Sequence, residues 1–442
     1  MKKILVIGSG RSAVTLIKYL LDNAEGNNWQ VTVADFSEEL AKVAVANHSS
    51  GKAIFFDVTD DKQRQTEIEN TDIVISMLPA SMHIVVAEDC VRLCKNLVTA
   101  SYVSKEIFAL DEKAKNAGII LLNEIGLDPG IDHMSAMQVI DSIKENGGEL
   151  TSFKSFCGGL VYPDYDTNPW HYKFTWNPRN VVLAGQGTAQ YIKHGRYKYI
   201  PYHKLFERTE QMNILDAGEF EGYANRDSLN YRKAYGLEKI PTLFRGTLRR
   251  KGFCKSWNMF VQLGMTDDTY KVENAENMTY REFINLFFPF NNKMSVEKKF
   301  CDYLNISIDS DEFKKAQWLG VFSDTNIGMK DATPAQIFQK ICEEKWTLGA
   351  EDKDLIVMQH QFEYVQNGEQ KKLNSSLLVF GDDPRYTAMA KTVGLPVAIA
   401  TKLILSGEIN SVGVKIPTTK DIYIPVLKEL SENGINFVEE LV

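Results

Sequence analysis

The sequence predicts an α/β protein: a doubly wound parallel sheet built mainly from the first 130 residues, then an inserted α+β domain with a helical insertion. Three observations carry this expectation. Short apolar runs alternate with helical patterns from residue 3 to residue 122. The first apolar run ends in a glycine-rich turn that opens a helix. From about residue 131 the alternation stops and aromatic-rich, mixed segments begin.

Strands are expected at 3–7, 30–34, 52–56, 72–77, 96–100 and 118–122, with helices at 11–24, 37–47, 60–69, 82–94 and 104–116. Strands alternating with helices over short loops mean a parallel sheet. A helix at 131–146 ends in Gly147-Gly148. Beyond it, 152–159, 240–246 and 257–263 read as strands of a second sheet. Residues from about 272 to 350 read as helical and polar, with a break at Pro289-Phe-Asn-Asn292. Segments 354–360 and 375–380 are strand-like, and a helix at 386–405 leads to the tail. The first domain is therefore expected at 1–130, completed by about 395–442, and the second at 131–394.

Composition sets the class. At 442 residues, 44% hydrophobic and 24% charged, the chain has the make-up of a globular protein of more than one domain. A net charge of −8 argues against nucleic acid as a partner. Six cysteines (Cys90, Cys94, Cys157, Cys254, Cys301, Cys342) are scattered, without the spacing of a metal site, so no metal is expected. No signal peptide and no apolar run long enough to span a bilayer are read, so a cytoplasmic protein with reduced thiols and no membrane partner is expected.

The first strand runs into Gly8-Ser-Gly10-Arg-Ser-Ala13 and then a helical apolar pattern. Strand, Gly-x-Gly-x-x-Ala, helix is the dinucleotide fingerprint in its required context. Gly8 permits the tight turn, Gly10 lets backbone approach a pyrophosphate, and Ala13 allows helix and strand to pack closely. The helix amino end favours the phosphate charge. The second strand ends in Asp35, about twenty residues on, where an acid accepts from the adenosine ribose hydroxyls and repels a 2′-phosphate. This points to a Rossmann half that takes NAD, with NADP possible because Arg11 lies in the loop. Asp35 is also suited to cap the helix that follows, and both roles are compatible. Asp57, after the third strand, is suited either to the adenine end or to a surface cap. Ser76-Met-Leu-Pro-Ala80 lets a loop pass close to a cofactor.

The twelve residues Asn123–Met134 follow the sixth strand and hold Glu124, Asp128, Asp132 and His133 among two glycines and a proline. Ligands of open α/β sheets sit just past the carboxyl ends of strands. Gly126, Pro129 and Gly130 fix a sharp path that would present Asp128. Ser101 and Tyr102 follow the fifth strand on the same edge. His133 reads as structural.

These blocks, together with Cys157–Leu160, Tyr172–Trp176, Asn225–Ser228, Arg245–Arg249 and Asp354–Phe362, resemble in order the saccharopine dehydrogenase family, most closely its glutamate-forming branch. The resemblance runs from residue 1 to about 405. It implies NAD(P)-dependent interconversion of saccharopine and water with glutamate and 2-aminoadipate semialdehyde, in a homodimer. Saccharopine carries three carboxylates and a secondary amine, so the site needs cations, a hydride path and a group that handles an amine proton and water. Arg226 and Arg249 are the expected carboxylate ligands. Asp128 is the first candidate for acid–base work, with Tyr102 and Cys157 behind it. Ser101, Trp176, Thr247 and Leu248 join the substrate set by resemblance. Ser9, Arg11, Ser12, Leu78, Leu127 and Pro129 join the cofactor set with Gly8, Gly10, Ala13, Asp35, Asp57, Ser101 and Asp128. Arg11-Ser12 and Asp35 depart from the fungal pattern and bear on cofactor choice. A carboxynorspermidine dehydrogenase, an NAD-binding sensor and a dimerising scaffold are the alternatives.

Overall fold

A computed structural model describes residues 1–442. It divides into two compact units, Met1–Leu150 with Glu363–Val442, and Thr151–Phe362. The boundaries expected at 130 and 394 both fall inside the first unit. The helix Ile131–Glu145 lies there because it packs on the helix Lys420–Glu432, where the Tyr423 hydroxyl donates to Asp141 at 2.7 Å.

The first unit is built on β1 (Lys2–Ile7), β2 (Trp29–Asp35), β3 (Gly51–Phe55), β4 (Ile73–Ser76), β5 (Asn96–Val98) and β6 (Ile120–Leu122). The tail strand Gly413–Lys415 adds to β6, giving the order Gly413–Lys415, β6, β5, β4, β1, β2, β3. Every pairing is parallel. Burial on both faces explains the continuous apolar runs: Ile4 to Ile7 and Ile73 to Ile75 are all buried. One face packs Leu5, Val74, Leu97 and Leu121 against Val86, Ala87 and Cys90 of the helix His83–Arg92. The order reverses between β1 and β4, so the crevice for a ligand opens at their carboxyl ends.

The helix Ala388–Ser406 is a correction. At 19 residues, with a mean hydropathy of 1.5 over an 18-residue stretch, it is long and apolar enough to cross a bilayer, although no such run was expected. In this fold it is a core helix, two-thirds buried (67%), packed on the helix Val14–Asp22. Gly394 makes that approach possible, because a Cβ there would stand 2.9 Å from the Leu16 amide nitrogen.

The second unit is a mixed sheet of β7 (Glu149–Val161), β8 (Ala189–Lys193), β9 (Arg196–Ile200), β10 (Thr209–Asn213), β11 (Glu219–Ala224), β12 (Thr242–Arg250) and β13 (Asp354–Gln366). The order is β10, β11, β12, β7, β13, with the β8–β9 hairpin on β12. β12 runs parallel to β7 and antiparallel to β11. Residues 257–263, expected as a strand, lie in the helix Phe253–Leu263. Its apolar residues Phe253, Trp257 and Phe260 recur at helical spacing and meet Trp170, Phe338 and Trp346. Gly252 and Gly264, both left-handed, bound it. The polar stretch from 272 is helical, with capping boxes at Thr279/Glu282 and Thr333/Gln336.

Candidate functional site

The fingerprint turn forms at the crevice. Gly8 has φ +100°, and a Cβ on it would stand 2.9 Å from the Met77 carbonyl oxygen, so both backbone and space demand glycine there. Gly10 differs. Its φ is −66° and a Cβ would meet nothing within 4 Å. Nothing inside the chain explains glycine at position 10, whereas a phosphate lying against the backbone does. Arg11–Ala13 form a 3₁₀ turn that leads into the helix from Val14; Ala13 is buried, Ser12 half-buried and Arg11 exposed. These residues fit a dinucleotide.

Asp35 is a partial correction. Its Oδ2 accepts from the Ser9 amide at 2.7 Å and the Ser9 hydroxyl at 2.8 Å, and its Oδ1 accepts from the Ser37 amide at 2.8 Å. Three of roughly four acceptor positions are filled, so Asp35 cannot take both ribose hydroxyls in this arrangement. It ties the glycine loop to the end of β2, and Ser9 is turned inward to it. Beside it, Phe36 is 71% exposed and its ring lies 5.5 Å from that of Phe55, an aromatic ledge that sequence reasoning missed. Asp57 accepts from both the amide and the hydroxyl of Thr59, and these bonds hold its carboxyl below the usual range. These bonds close a local turn at Asp57, whereas the helix that follows is capped by Asp60, whose side chain accepts from the Lys62 and Gln63 amides.

Past β4 and β5, Ser76 and Ser101 are bridged by His83, which the sequence reading did not single out. Nδ1 of His83 lies 2.8 Å from Ser76 Oγ and Nε2 lies 2.7 Å from Ser101 Oγ. Burial pushes the imidazole down to about 4. Leu78 is half-buried against the core, and Tyr102 is 48% exposed.

The loop after β6 sorts its acids. Glu124, with φ +57°, is buried: one carboxylate oxygen accepts from the Val103 amide at 3.0 Å and the other meets His133 Nε2 at 2.9 Å. Asp132 is buried and accepts from the Gly130 amide at 2.6 Å. Gly130, at φ +146°, has no room for any side chain, since a Cβ would stand 2.1 Å from the Gly126 carbonyl. Leu127 and Pro129 are buried and contribute through their main chain, Leu127 O accepting from the Asp132 amide at 3.0 Å. Asp128 alone of the three acids is not fully buried. Two acids and a histidine thus brace the loop that carries it.

In the second unit, three adjacent strands bring the expected substrate residues together. Cys157 on β7 lies opposite Thr247 on β12, and Thr247 opposite Tyr223 on β11. Arg249 follows two residues on, on the same face. It is only 4% exposed, and its guanidinium lies over Tyr172 (4.9 Å to the ring centre), Phe253 (5.4 Å) and Tyr223 (5.8 Å). Its Nη1 donates to the Leu248 carbonyl at 2.8 Å, its Nε has no partner, and no acid of its own unit pairs with it. The Tyr172 hydroxyl is also buried, beside the Trp176 side chain, and burial pushes its pKa up to about 12. Trp176, 38% exposed, borders Tyr172, and the exposed Arg226 lies close to Tyr223.

Leu248 is a correction. Its side chain is fully buried on the other face of β12, so only its main chain faces the cluster. Gly158, next to Cys157, serves that packing rather than a ligand: a Cβ there would stand 2.7 Å from the Leu248 carbonyl oxygen. Tyr172 and Tyr223 were missed. Tyr172 lay within a recognised block, and Tyr223 stands on a strand that sequence reasoning did not identify.

Two family models match the chain: the saccharopine dehydrogenase NADP binding domain over residues 4–122, and the saccharopine dehydrogenase C-terminal domain over residues 126–435. The chain is 35% identical to the mitochondrial alpha-aminoadipic semialdehyde synthase of Rattus norvegicus, over 99% of this chain and 47% of that protein. It therefore spans about half the length of the animal relatives it matches. It is 34% identical to the saccharopine dehydrogenase (NADP(+), L-glutamate-forming) of Pyricularia oryzae, over 100% of this chain and 99% of that one. The solved apo saccharopine dehydrogenase (L-Glu forming) of Saccharomyces cerevisiae has the same fold, with a TM-score of 0.91 at 32% identity over 100% of both chains.

Proposed function

The chain belongs to the saccharopine dehydrogenase family, and from that premise we propose that it oxidises saccharopine at its CH–NH group, yielding L-glutamate and 2-aminoadipate 6-semialdehyde in lysine metabolism. One observation supports the substrate class above others. Arg249 is buried in an aromatic cage with no acid of its unit to pair it. Burying an unpaired cation costs several kcal/mol, and the rings recover part of it, about 2 kcal/mol or more. A substrate carboxylate supplies what the fold withholds.

The chemistry assigns each group a task. When bound, a nicotinamide dinucleotide would supply the acceptor for the hydride on the carbon beside the amine. Arg249 and Arg226 hold carboxylates, with Thr247 beside them. Trp176 covers the aliphatic chain. Asp128 takes the amine proton and then orients the water that cleaves the imine; a carboxylate braced by buried neighbours keeps its aim without reorganisation. Tyr102 and Cys157 border the reaction, and Ser101 binds ligand through its hydroxyl. Gly8, Gly10 and the 3₁₀ turn Arg11–Ala13 hold the pyrophosphate, and the Phe36–Phe55 ledge supports the adenine.

Within this reading we propose NAD as the preferred cofactor. The charge of Asp35 stays at the end of β2, and Phe36-Ser-Glu-Glu-Leu40 supplies no cation for a 2′-phosphate. The fungal relatives' names, which carry NADP(+), weigh the other way. A cytoplasmic homodimer completes the proposal. The test is oxidation of NADH that requires glutamate and the semialdehyde together; turnover with the semialdehyde alone would assign the protein to another reaction.

A further inference from the structure

His83 has no role in the reading above, yet both of its ring nitrogens are engaged. It is 1% exposed and bridges Ser76, at the end of β4, and Ser101, just past β5. These are the carboxyl ends of adjacent strands, where ligands of such sheets bind. The main chain of Ser101 is held separately, its carbonyl accepting from the Glu124 amide at 3.0 Å and its amide donating to Thr99 Oγ1 at 3.3 Å. His83 therefore acts on the Ser101 hydroxyl and not on the path of the loop.

A neutral imidazole carries one N–H, and the two tautomers have opposite consequences. With the proton on Nδ1, His83 donates to Ser76 and accepts from Ser101, so the Ser101 hydrogen is spent inward. With the proton on Nε2, His83 accepts from Ser76 and donates to Ser101, and the Ser101 hydrogen is free to point outward. Ser76 decides between them. Its hydroxyl is fully buried, and His83 Nδ1 is its only side-chain hydrogen-bond partner. If Nδ1 carried the proton, the Ser76 hydrogen would be buried without an acceptor, which is costly. Burial also keeps the ring neutral down to about pH 4, so no second N–H intervenes.

We propose that His83 is a positioning residue, held by Ser76 as the Nε2–H tautomer so that Ser101 donates its hydroxyl hydrogen to an oxygen acceptor of a bound ligand. The acceptor is a carboxylate of the amino-acid substrate or the carboxamide oxygen of the nicotinamide. The inference rests on the reading of Ser101 as a ligand-binding residue.

Nitrogen-15 NMR of histidine-labelled full-length protein tests the tautomer without turnover, with the His83 signal assigned by its loss in His83→Gln. An Nε2–H signal is expected; an Nδ1–H signal overturns the proposal and leaves the function reading standing. Substrate KM and NADH affinity, measured in parallel, separate the two acceptors. His83→Met should weaken one of them by about threefold to tenfold, the worth of one neutral hydrogen bond. His83→Gln, which keeps a donor, should restore most of that loss. In a Ser101→Ala background His83→Met should add nothing. An equal further loss in that background would make His83 merely structural and overturn the proposal. If Ser101→Ala leaves both ligands unaffected, the reading of Ser101 falls and the proposal with it.

Discussion

Replacing Arg249 with Met separates a ligand-binding cation from a structural one, because the two roles predict opposite signs. Arg249 is 4% exposed, has one hydrogen bond to the neighbouring carbonyl of Leu248, and has no partner at Nε. Met fills a similar volume and keeps the contact with Tyr172, Tyr223 and Phe253. The fold then loses cation–ring attraction of about 2 kcal/mol or more and is relieved of a desolvation cost of several kcal/mol. The ligand-free variant should therefore unfold no more easily than the parent, and its Tm should stay level or rise. Saccharopine binding should move the other way. One charge-assisted carboxylate contact is worth about 1.5–3 kcal/mol, roughly a tenfold to hundredfold rise in KM. The assays are urea or thermal unfolding without ligand and KM for saccharopine at saturating cofactor. A Tm that falls by many degrees with KM unchanged would refute the reasoning and make Arg249 a strut of the sheet.

Asp128→Asn should lower turnover by about 10²- to 10⁴-fold with melting little changed, because Asn keeps the shape of the side chain in a loop braced by Glu124, Asp132 and His133; retained turnover would remove Asp128 from the chemistry. The ratio of kcat/KM for NAD over NADP should be at least about ten, a gap of about 1.4 kcal/mol, and equal use would show that Arg11 outweighs Asp35. His83 titrates near 4 in the fold and near 6.5 unfolded, so the unfolded chain takes up its proton first as pH falls. Its contribution to stability is complete above about pH 6.5 and drains away between about 6.5 and 4, by roughly 2 kcal/mol at pH 5. Urea unfolding of the parent and His83→Met at pH 7 and pH 5 should show their difference change by that amount; a constant difference would place the titration elsewhere.

Much of the first unit was legible in the sequence because central strands such as β1 and β4 are buried on both faces and read as plain apolar runs, alternating with helical patterns. The limits of β1 to β6 fall within a few residues of expectation. The glycine turn was legible because the chain itself enforces Gly8. What Asp35 does was not: an acid at the end of β2 suits a ribose, a cap or the loop itself, and only coordinates reveal the Ser9 contacts. The second unit was harder. Residues 257–263 carry dense aromatics that suit a strand or a buried helix, and the flanking Gly252 and Gly264 were the signal that decides. The turn at Asn367-Gly368, both residues left-handed, passed unnoticed although Asn-Gly is a strong hairpin signal. The aromatic cage of Arg249 could not be seen, since Tyr172, Tyr223 and Phe253 come from separate elements.

On the proposed function, the chain oxidises a secondary amine bearing three carboxylates and releases glutamate. The most direct measurement supplies saccharopine with NAD and NADP in parallel and quantifies glutamate against reduced cofactor, with a carboxynorspermidine-type amine of fewer carboxylates as the competitor. One glutamate should appear per reduced nicotinamide, and kcat/KM for saccharopine should be at least about tenfold above that for the competitor, the worth of one lost carboxylate contact. Reduction of cofactor without glutamate, or equal rates on the amine with fewer carboxylates, would contradict it.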